Sequence, residues 1–208
     1  MTVMTQPINE NHRGVTAADG TTKARIERAA VTLFLRKGIE GATTREIASH
    51  AGISEGALYR HFKGKEEIAQ HLFAEIHDRL AALVRNAGSE KAKISDQVSE
   101  IVQSYCETAD DDWVLFAYHL LSIDHFLPTP PGRDDPVSAT EEIIKNAMDG
   151  GEIPNGDVAL TGAMVLGVVL QPALHKAYGR LQGPLSMYVN EFNQNILAIL
   201  QSSTSKER

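Results

Sequence analysis

The stretch ISEGALYRHFKGKEE, which begins at residue 53, crowds hydrogen-bonding and basic side chains into a few positions. A phenol hydroxyl, a guanidinium, an imidazole and ammonium groups all donate hydrogen bonds that phosphate oxygens accept. The core of a helix bundle has no use for such groups, so the segment predicts contact with something outside the protein. The residues concerned are Tyr59, Arg60, His61, Lys63 and Lys65.

The charge distribution points the same way. The whole chain has a net charge of −7, but residues 21–65 contain nine Lys and Arg against four Glu and so carry +5. The remainder therefore carries −12. A basic segment on an acidic body indicates a polyanion-binding module joined to a part that does not touch the polyanion.

Length and composition set broad limits. A chain of 208 residues, of which 42% are hydrophobic, can bury one large core or two small ones. The start MTVMTQPINENHRG has no basic region followed by an apolar run, so no secretory signal is predicted. The single cysteine, Cys106, excludes an internal disulfide framework and fits the cytoplasm. The longest apolar stretch, residues 158–174, is interrupted by polar residues and a proline and predicts a buried helix rather than a membrane span.

The hydrophobic pattern is helical nearly throughout, after a mostly disordered arm over residues 1–20. The first helix has an apolar stripe and is predicted to end at Gly38. Further periodic segments predict a long helix over about 65–87, a helix that starts at about 94 and a separate helix that ends at 126. Three more helices are predicted over about 137–148, 157–178 and 184–201. No strand pattern is present, so the predicted fold class is all-α.

A pair of short helices lies between the first and the long helix. Thr43 followed by Glu46 has the form of a capping box and predicts a helix starting at Thr44. Gly52 allows the tight turn that follows, and Ser54 caps the next helix. Two short helices joined by such a turn form a helix-turn-helix.

Residues 22–68 resemble the DNA-binding domain of the TetR family of bacterial transcriptional regulators. The resemblance depends on AAVTLFLRKGIEGATTREIASHAGISEGALYRHFKGKEEI, in particular I-A-x-x-A-G-I-S and G-x-L-Y-x-H-F followed by a Lys three residues later. It covers about a quarter of the chain. It implies a three-helix DNA-binding domain over 21–67 and a regulatory, ligand-binding and dimerisation domain over 68–208.

The predicted DNA-binding residues form two sets, one that would contact phosphates and one that would read bases. Hydroxyls at a helix start, together with the donors at the end of the recognition helix, would hold the DNA backbone. The phosphate set is Thr43, Thr44, Tyr59, His61, Lys63 and Lys65. The base-reading set is Arg45, Ser54, Glu55, Gly56, Ala57 and Arg60.

Two questions about charged residues stay open on sequence grounds. Glu55 departs from the family pattern, and its carboxylate could accept from a cytosine amine or simply neutralise Arg60. Arg25 and Arg28 on the first helix could contact phosphates or be solvated charges.

The last two helices predict self-association. The helix over 157–178 is apolar on nearly all sides, and small residues such as Ala163 and Gly167 allow another helix to come close. A helix with two apolar faces needs two partners, which a homodimer supplies through these helices; the alternative is a buried central helix in a monomer. The family resemblance also implies a dimer on a palindromic operator.

A small-molecule effector is the other implied partner. Aromatic and hydrogen-bonding side chains on the C-terminal helices could line its pocket, although an aromatic residue at helical spacing more often belongs to the core. The shortage of basic residues there favours a lipophilic or amphipathic ligand. The candidate residues are Tyr105, Trp113, Phe116, Tyr118, His119, Phe126, Met164, Gln171 and His175.

No phosphate loop, nucleophile elbow or metal-ligand cluster is present in the sequence, so no catalytic residue, metal site or cofactor is predicted. His119, Asp124 and His125 spread around their helix and do not converge. The sequence therefore predicts a DNA-binding regulator, in the first place a repressor whose operator binding a ligand modulates. The alternative is a regulator of the same fold that responds to a protein partner.

Overall fold

The computed structural model describes residues 15–16, 18, 20–90, 93–127 and 135–202. Within these ranges the chain is helical and contains no strand, which confirms the all-α prediction. Most of the predicted arm over 1–20 lies outside the described residues. In chain order the helices are α1 (Thr22–Gly41), α2 (Thr44–His50), α3 (Glu55–Leu58), α4 (Lys65–Glu90), α5 (Ile94–Asp111), α6 (Trp113–Leu121), α7 (Ile123–Phe126), α8 (Pro136–Asp149), α9 (Val158–Ala177) and α10 (Val189–Gln201), with a 3-10 turn at Leu185–Tyr188.

The chain divides into two compact units that do not follow a single cut in the sequence. The N-terminal unit contains the described residues as far as Ile76 together with residues 113–127. The C-terminal unit contains residues 77–112 and 135–202. Helix α4 contributes its first part to one unit and its second part to the other. The predicted boundary after residue 67 remains a prediction.

The core of the N-terminal unit is built where α1 packs on α2 and α6. Ile26, Ile47 and Leu58 bring α1, α2 and α3 together and are fully buried. Tyr118 of α6 is also buried, and its hydroxyl donates to the carbonyl of Ala69 at 2.7 Å. Helices α2 and α3 therefore belong to a packed unit in which the buried Tyr118 hydroxyl has a hydrogen-bond partner.

In the C-terminal unit, α8 packs on α9, and α10 packs on both α5 and α9. The carboxylate of Asp110 at the end of α5 accepts from the backbone N–H groups of Leu185 and Ser186 at 2.7 and 2.9 Å. These bonds satisfy donors at the start of the 3-10 turn. Cys106 is fully buried, as predicted.

Three helix boundaries differ from the sequence prediction. The backbone does break at Gly38, where φ is +74°, but a further helical segment continues to Gly41. The helix predicted to reach Phe126 is interrupted at Ser122, whose backbone is not helical. The last α-helix begins at Val189, after the 3-10 turn, instead of at about residue 184.

Helix α9 is the one described helix that is long and apolar enough to cross a membrane, with a mean hydropathy of 1.6 in its most apolar window. Only 28% of that window is buried in the chain. The prediction that this helix is surrounded on several sides is therefore wrong for the single chain. One such helix is weak evidence for a membrane span, and its buried face packs on α8 and α10.

Candidate nucleic-acid interface

Helices α2 and α3 are joined by a tight turn that backbone hydrogen bonds and side-chain caps hold in place. The capping box predicted at Thr43 and Glu46 is present, and α2 begins at Thr44. Gly52 has φ +64°, a conformation that favours glycine, and the N–H of Ile53 returns to the carbonyl of Ala48 at 3.0 Å. The Ser54 hydroxyl accepts from the N–H of Ala57 at 3.2 Å and caps α3. The helix-turn-helix predicted from the sequence is confirmed.

Arg25 of α1 locks this turn. Its guanidinium donates to the carbonyls of Ala51 and Gly52, the second at 2.9 Å. This contact is a third role, because sequence reasoning considered only a phosphate contact or a solvated charge for Arg25. The same guanidinium nitrogen would lie 2.8 Å from a Cβ at Gly52, so a side chain there would displace it. Arg28 is half-buried, and its role remains open.

The cationic and hydrogen-bonding side chains at the end of α3 are exposed. Tyr59 is 52% exposed, and Arg60, His61 and Lys63 also face solvent, as does Arg45 on α2. Within the described ranges, none of the four basic side chains has an intramolecular ion pair. They are therefore available to phosphate oxygens or base edges.

Gly56 lies on the same exposed surface. A Cβ built at this position would have no atom within 4 Å, and the residue does not have positive φ. No contact among the described residues requires glycine here, although glycine lowers helix stability. Its effect is to leave the middle of α3 without a side chain that could hold a partner away. The predicted base-reading residues Ser54 and Ala57 flank it, exposed and half-buried respectively.

The threonine hydroxyls are engaged within the protein. The Thr43 hydroxyl donates to the Glu46 carboxylate at 3.1 Å, in addition to the two backbone bonds of the capping box. Thr44 donates to Oε1 of Glu55 at 2.8 Å and lies 3.3 Å from the hydroxyl of Tyr59. These contacts join the first turn of α2 to the start and the end of α3. The Lys37 ammonium and the Thr43 hydroxyl lower the pKa of Glu46, which stays ionised in this arrangement.

Lys65 differs from the other predicted phosphate contacts because it is only 18% exposed. Its ammonium donates to the carbonyl of Glu40 at 3.0 Å and lies 3.7 Å and 3.8 Å from the carboxylates of Glu40 and Glu66. It therefore links the end of α1 to the start of α4. Its role as a phosphate contact remains a prediction.

Sequence reasoning missed a buried carboxylate clamp at Glu27. Glu27 of α1 is fully buried and accepts from the N–H of Val15 at 2.8 Å, the N–H of Thr16 at 3.0 Å and the Thr16 hydroxyl at 2.6 Å. His71 of α4 lies 3.2 Å away. The clamp therefore holds residues 15 and 16 against α1 and α4. The sequence signals are that Glu27 lies four residues before the apolar Val31 and four residues after Lys23.

The electrostatics of this clamp favour the charged form of the carboxyl. Burial alone would raise the pKa of Glu27, but the hydrogen bonds from Thr16, Val15 and His71 outweigh burial and lower it. Lys23 lies 3.7 Å from the same carboxylate. Glu27 is therefore an ionised structural anchor inside the N-terminal unit.

The candidate ligand residues are divided between the two units. In the N-terminal unit, Phe116, Tyr118 and His119 are buried, and His119 stacks on Phe73 with ring centroids 4.6 Å apart. Trp113 stacks on Phe116 at 6.0 Å, and Phe126 packs on Phe73 at 4.7 Å. In the C-terminal unit, Tyr105 is buried, Met164 and His175 are half-buried and Gln171 is exposed. The structure therefore describes these residues as two groups, one in each unit.

A shallow cleft of about 500 Å³ opens on the C-terminal unit. Its lining contains none of the predicted ligand residues; it is formed by Glu107, Thr108, Asp110, Asp111 and Ser186. An acidic lining of this kind does not fit a lipophilic molecule. That these residues line a ligand pocket therefore remains a prediction.

Comparison with known proteins identifies the helix-turn-helix region. Residues 26–72 match the family model described as bacterial regulatory proteins, tetR family. Among curated relatives, TtgR of Pseudomonas putida, an HTH-type transcriptional regulator, is 38% identical over 69 residues, 33% of each chain. The HTH-type transcriptional repressor KstR2 of Mycolicibacterium smegmatis is 41% identical over 51 residues, which are 24% of this chain and 25% of the repressor. The matched region spans about a third of the length of such relatives, or less.

Solved structures match the fold over most of the chain. FadR from Bacillus subtilis in complex with stearoyl-CoA has a TM-score of 0.69 and 21% identity, with 86% of this chain and 98% of that chain covered. The TetR family regulator PfmR from Thermus thermophilus has a TM-score of 0.68 and 23% identity, covering 87% of this chain and 100% of that chain. At these identities the likeness shows a shared fold.

Proposed function

Because residues 26–72 belong to the TetR family of bacterial regulatory proteins, we propose that this protein is a transcriptional regulator that binds an operator through α3. The observation that carries the proposal is the exposed surface around Tyr59 and Arg60, with Gly56 open beside them. A helix without a protruding central side chain can approach the floor of the major groove. The donors around it can bind the phosphates on either side.

Arg60 is the main candidate for reading a base. Its guanidinium is exposed and has no ion pair among the described residues, and two parallel N–H groups fit guanine O6 and N7. The DNA backbone would be contacted by residues close to Arg60 in the sequence, namely Tyr59, His61 and Lys63. This division predicts that Arg60 affects sequence preference, whereas Lys63 affects affinity for all sequences alike.

The test is selection of binding sites from a random double-stranded DNA library, followed by affinity measurements on the selected operator. Arg60→Ala should lower operator affinity by about 1 to 3 kcal/mol and relax the preference at one base position. Arg180→Ala is the matched control, because Arg180 is an exposed arginine in the C-terminal unit. Failure of the unaltered protein to select any sequence would contradict the proposal.

A homodimer through α9 and α10 forms part of the same proposal. Leu160 of α9 is 50% exposed, Ala163 and Gly167 follow it on the same exposed face, and Met164 is half-buried beside them. An apolar face with small residues at its centre allows a second helix to pack closely. A twofold dimer would also present two copies of α3 to a palindromic operator.

Ala163→Arg tests the dimer. The arginine would stand on the exposed face of α9, where it leaves the packing of the single chain intact and obstructs a second copy. Ala82→Arg on the exposed side of α4 is the control. In native mass spectra, the unaltered protein and the control should give twice the chain mass of 22.7 kDa, and Ala163→Arg should give the monomer. A dimer that survives Ala163→Arg would exclude this face.

The effector in this proposal is a lipophilic or amphipathic molecule that modulates operator binding by a cytoplasmic repressor. Support comes from the similar fold of FadR from Bacillus subtilis, which was solved with stearoyl-CoA. A long-chain acyl-CoA is therefore the first compound to add to the operator-binding assay. A change in operator affinity supports the effector, whereas no response to acyl-CoA or to other amphipathic compounds favours the alternative of control by a protein partner.

A further inference from the structure

Glu55 is the acidic residue on the surface that the proposed function presents to DNA. It is the first residue of α3 and is exposed. Sequence reasoning left two roles open, neutralising Arg60 or accepting from a base. Within the described part of the chain Glu55 has no ion pair to Arg60, and its carboxylate contacts Thr44 instead.

The direction of the hydrogen bonds follows from the single proton of the Thr44 hydroxyl. The ionised Glu55 carboxylate can only accept, so Thr44 donates its proton to Oε1 over 2.8 Å. Thr44 then has only lone pairs left for Tyr59, whose hydroxyl at 3.3 Å must be the donor. Thr44 is therefore a positioning residue that holds one oxygen of the carboxylate, and it keeps this bond when Tyr59 turns its hydroxyl from Thr44 to a phosphate in the DNA complex.

The other oxygen, Oε2 of Glu55, has no hydrogen-bond donor among the described residues. On a surface facing DNA, this negative charge repels phosphates and needs a donor from a base edge. In the major groove, guanine offers only acceptors, and thymine offers an acceptor and a methyl group. Adenine places its N7 acceptor beside its amine, whereas cytosine offers the N4 amine alone.

We propose that Glu55, held by Thr44, selects a cytosine in the operator half-site by accepting a hydrogen bond from its N4 amine through Oε2. The inference depends on the proposed function, because it assigns one base preference to the same DNA-binding surface. It also gives the carboxylate a discriminating role: sequences without a donor at that position leave a negative charge facing acceptors.

The first experiment compares the sequence preferences of the unaltered protein, Glu55→Gln and Glu55→Ala by selection from the same random DNA library. The unaltered protein should require cytosine at one position of each half-site, with discrimination of about tenfold or more. Glu55→Gln should move that preference towards adenine, because a carboxamide can both donate to N7 and accept from the N6 amine. Glu55→Ala should lose the preference there and bind random DNA more tightly.

The second experiment removes the amine from the DNA. Replacing the selected cytosine with 2-pyrimidinone, which lacks the 4-amino group, should weaken binding of the unaltered protein about tenfold. The same replacement should leave the affinity of Glu55→Ala unchanged. Thr44→Val should reduce the discrimination and Thr44→Ser should restore it, while thermal melts show whether each variant is folded.

The outcomes separate the inference from the proposed function. If the unaltered protein selects no sequence, both fail. If it selects an operator, but Glu55→Gln and Glu55→Ala keep the same preference at every position, the regulator stands and the role of Glu55 is overturned. A 2-pyrimidinone operator that binds the unaltered protein as tightly as the cytosine operator would also overturn it.

Discussion

The α2–α3 segment and helix α9 are held in place by different kinds of interaction. In the α2–α3 segment, individual polar side chains fix the backbone. The capping box of Thr43 and Glu46 starts α2, and Arg25 binds the turn between α2 and α3. In α9 the buried residues are mostly apolar or small, and most of the apolar stretch of this helix is not buried in the chain. One region is fixed by specific polar contacts, while the other has an apolar face that is exposed in the single chain.

This difference explains why the two regions constrain sequence differently. A cap or a carbonyl-binding guanidinium needs a particular residue type at a particular spacing. Apolar packing on one side of a helix can be achieved by many residue combinations of similar volume. The contrast predicts that single polar substitutions will damage the N-terminal unit more than comparable substitutions in the C-terminal unit.

Glu27→Gln should have the largest effect on stability. The neutral amide replaces a carboxylate that accepts from Val15 and Thr16, so two N–H donors lose a charged acceptor. The expected loss is about 2 to 3 kcal/mol in the free energy of unfolding at pH 7, measured by chemical denaturation. Glu142→Gln is the matched control in the C-terminal unit, where the exposed pair with Arg85 at 2.9 Å should contribute about 0 to 1 kcal/mol.

The pH dependence of the same pair of proteins sharpens this prediction. The pKa of Glu27 is lowered from its ordinary value of 4.5, so its stabilising contribution is complete above that value. It is lost as the pH falls through the lower pKa of the folded state. The difference between the unaltered protein and Glu27→Gln should therefore shrink below pH 4.5; a constant difference would show that the charge of Glu27 is not responsible.

The second prediction separates two glycines of the same segment. Gly52→Ala forces a side chain into a positive φ and against Arg25, and should destabilise the protein by roughly 1 to 2 kcal/mol. Gly56→Ala enters open space and should stabilise α3 by up to about 1 kcal/mol. The same methyl should weaken operator binding if α3 approaches the groove closely. Equal stability effects of the two substitutions would refute the distinction.

The sequence predicted the parts of the fold that depend on local chemistry. The capping box at Thr43, the turn at Gly52 and the cap at Ser54 each involve residues within a few positions of one another, so a single sequence reveals them. Arg25 reaches carbonyls 26 and 27 residues away, and Glu27 binds His71 on another helix. Such contacts depend on how the helices pack. The one local partner, Lys23 four residues before Glu27, would suggest only a surface ion pair.

The candidate ligand residues illustrate the same limit. Tyr118 and His119 mix apolar bulk with a polar group, which is typical of both pockets and cores. The structure gives the Tyr118 hydroxyl a backbone partner at Ala69 and stacks His119 on Phe73. Only the positions of residues distant in sequence distinguish the two uses, so composition alone could not assign them.

Two lysines that the sequence treats alike should behave differently. Lys63 is exposed, and Lys63→Ala should reduce the slope of log affinity against log salt by about one. The Lys65 ammonium binds the Glu40 carbonyl, and Lys65→Ala should lower stability by about 1 kcal/mol with little change in slope. A slope reduced by about one for Lys65→Ala would show that this ammonium exchanges the carbonyl for a phosphate, as sequence reasoning proposed.

The smallest effect is expected at Cys106 in the C-terminal unit. Burial, with smaller contributions from the Asp110 and Glu107 carboxylates, raises the pKa of its thiol to about 12. The thiol is therefore protonated at pH 8 and should react with a disulfide reagent only when the unit opens. Cys106→Ala, with labelling of the denatured protein as a reference, should leave operator affinity unchanged.

The sign of the pH effect at Cys106 is opposite to that at Glu27. An acid whose folded-state pKa is raised contributes stability below the unfolded value of about 8.5 and loses it as the pH rises further. The unaltered protein should therefore lose more stability than Cys106→Ala between pH 8 and pH 10. Immediate labelling at pH 8, or parallel stability curves for the two proteins, would show that the thiol is exposed to solvent and not buried in the core of the C-terminal unit.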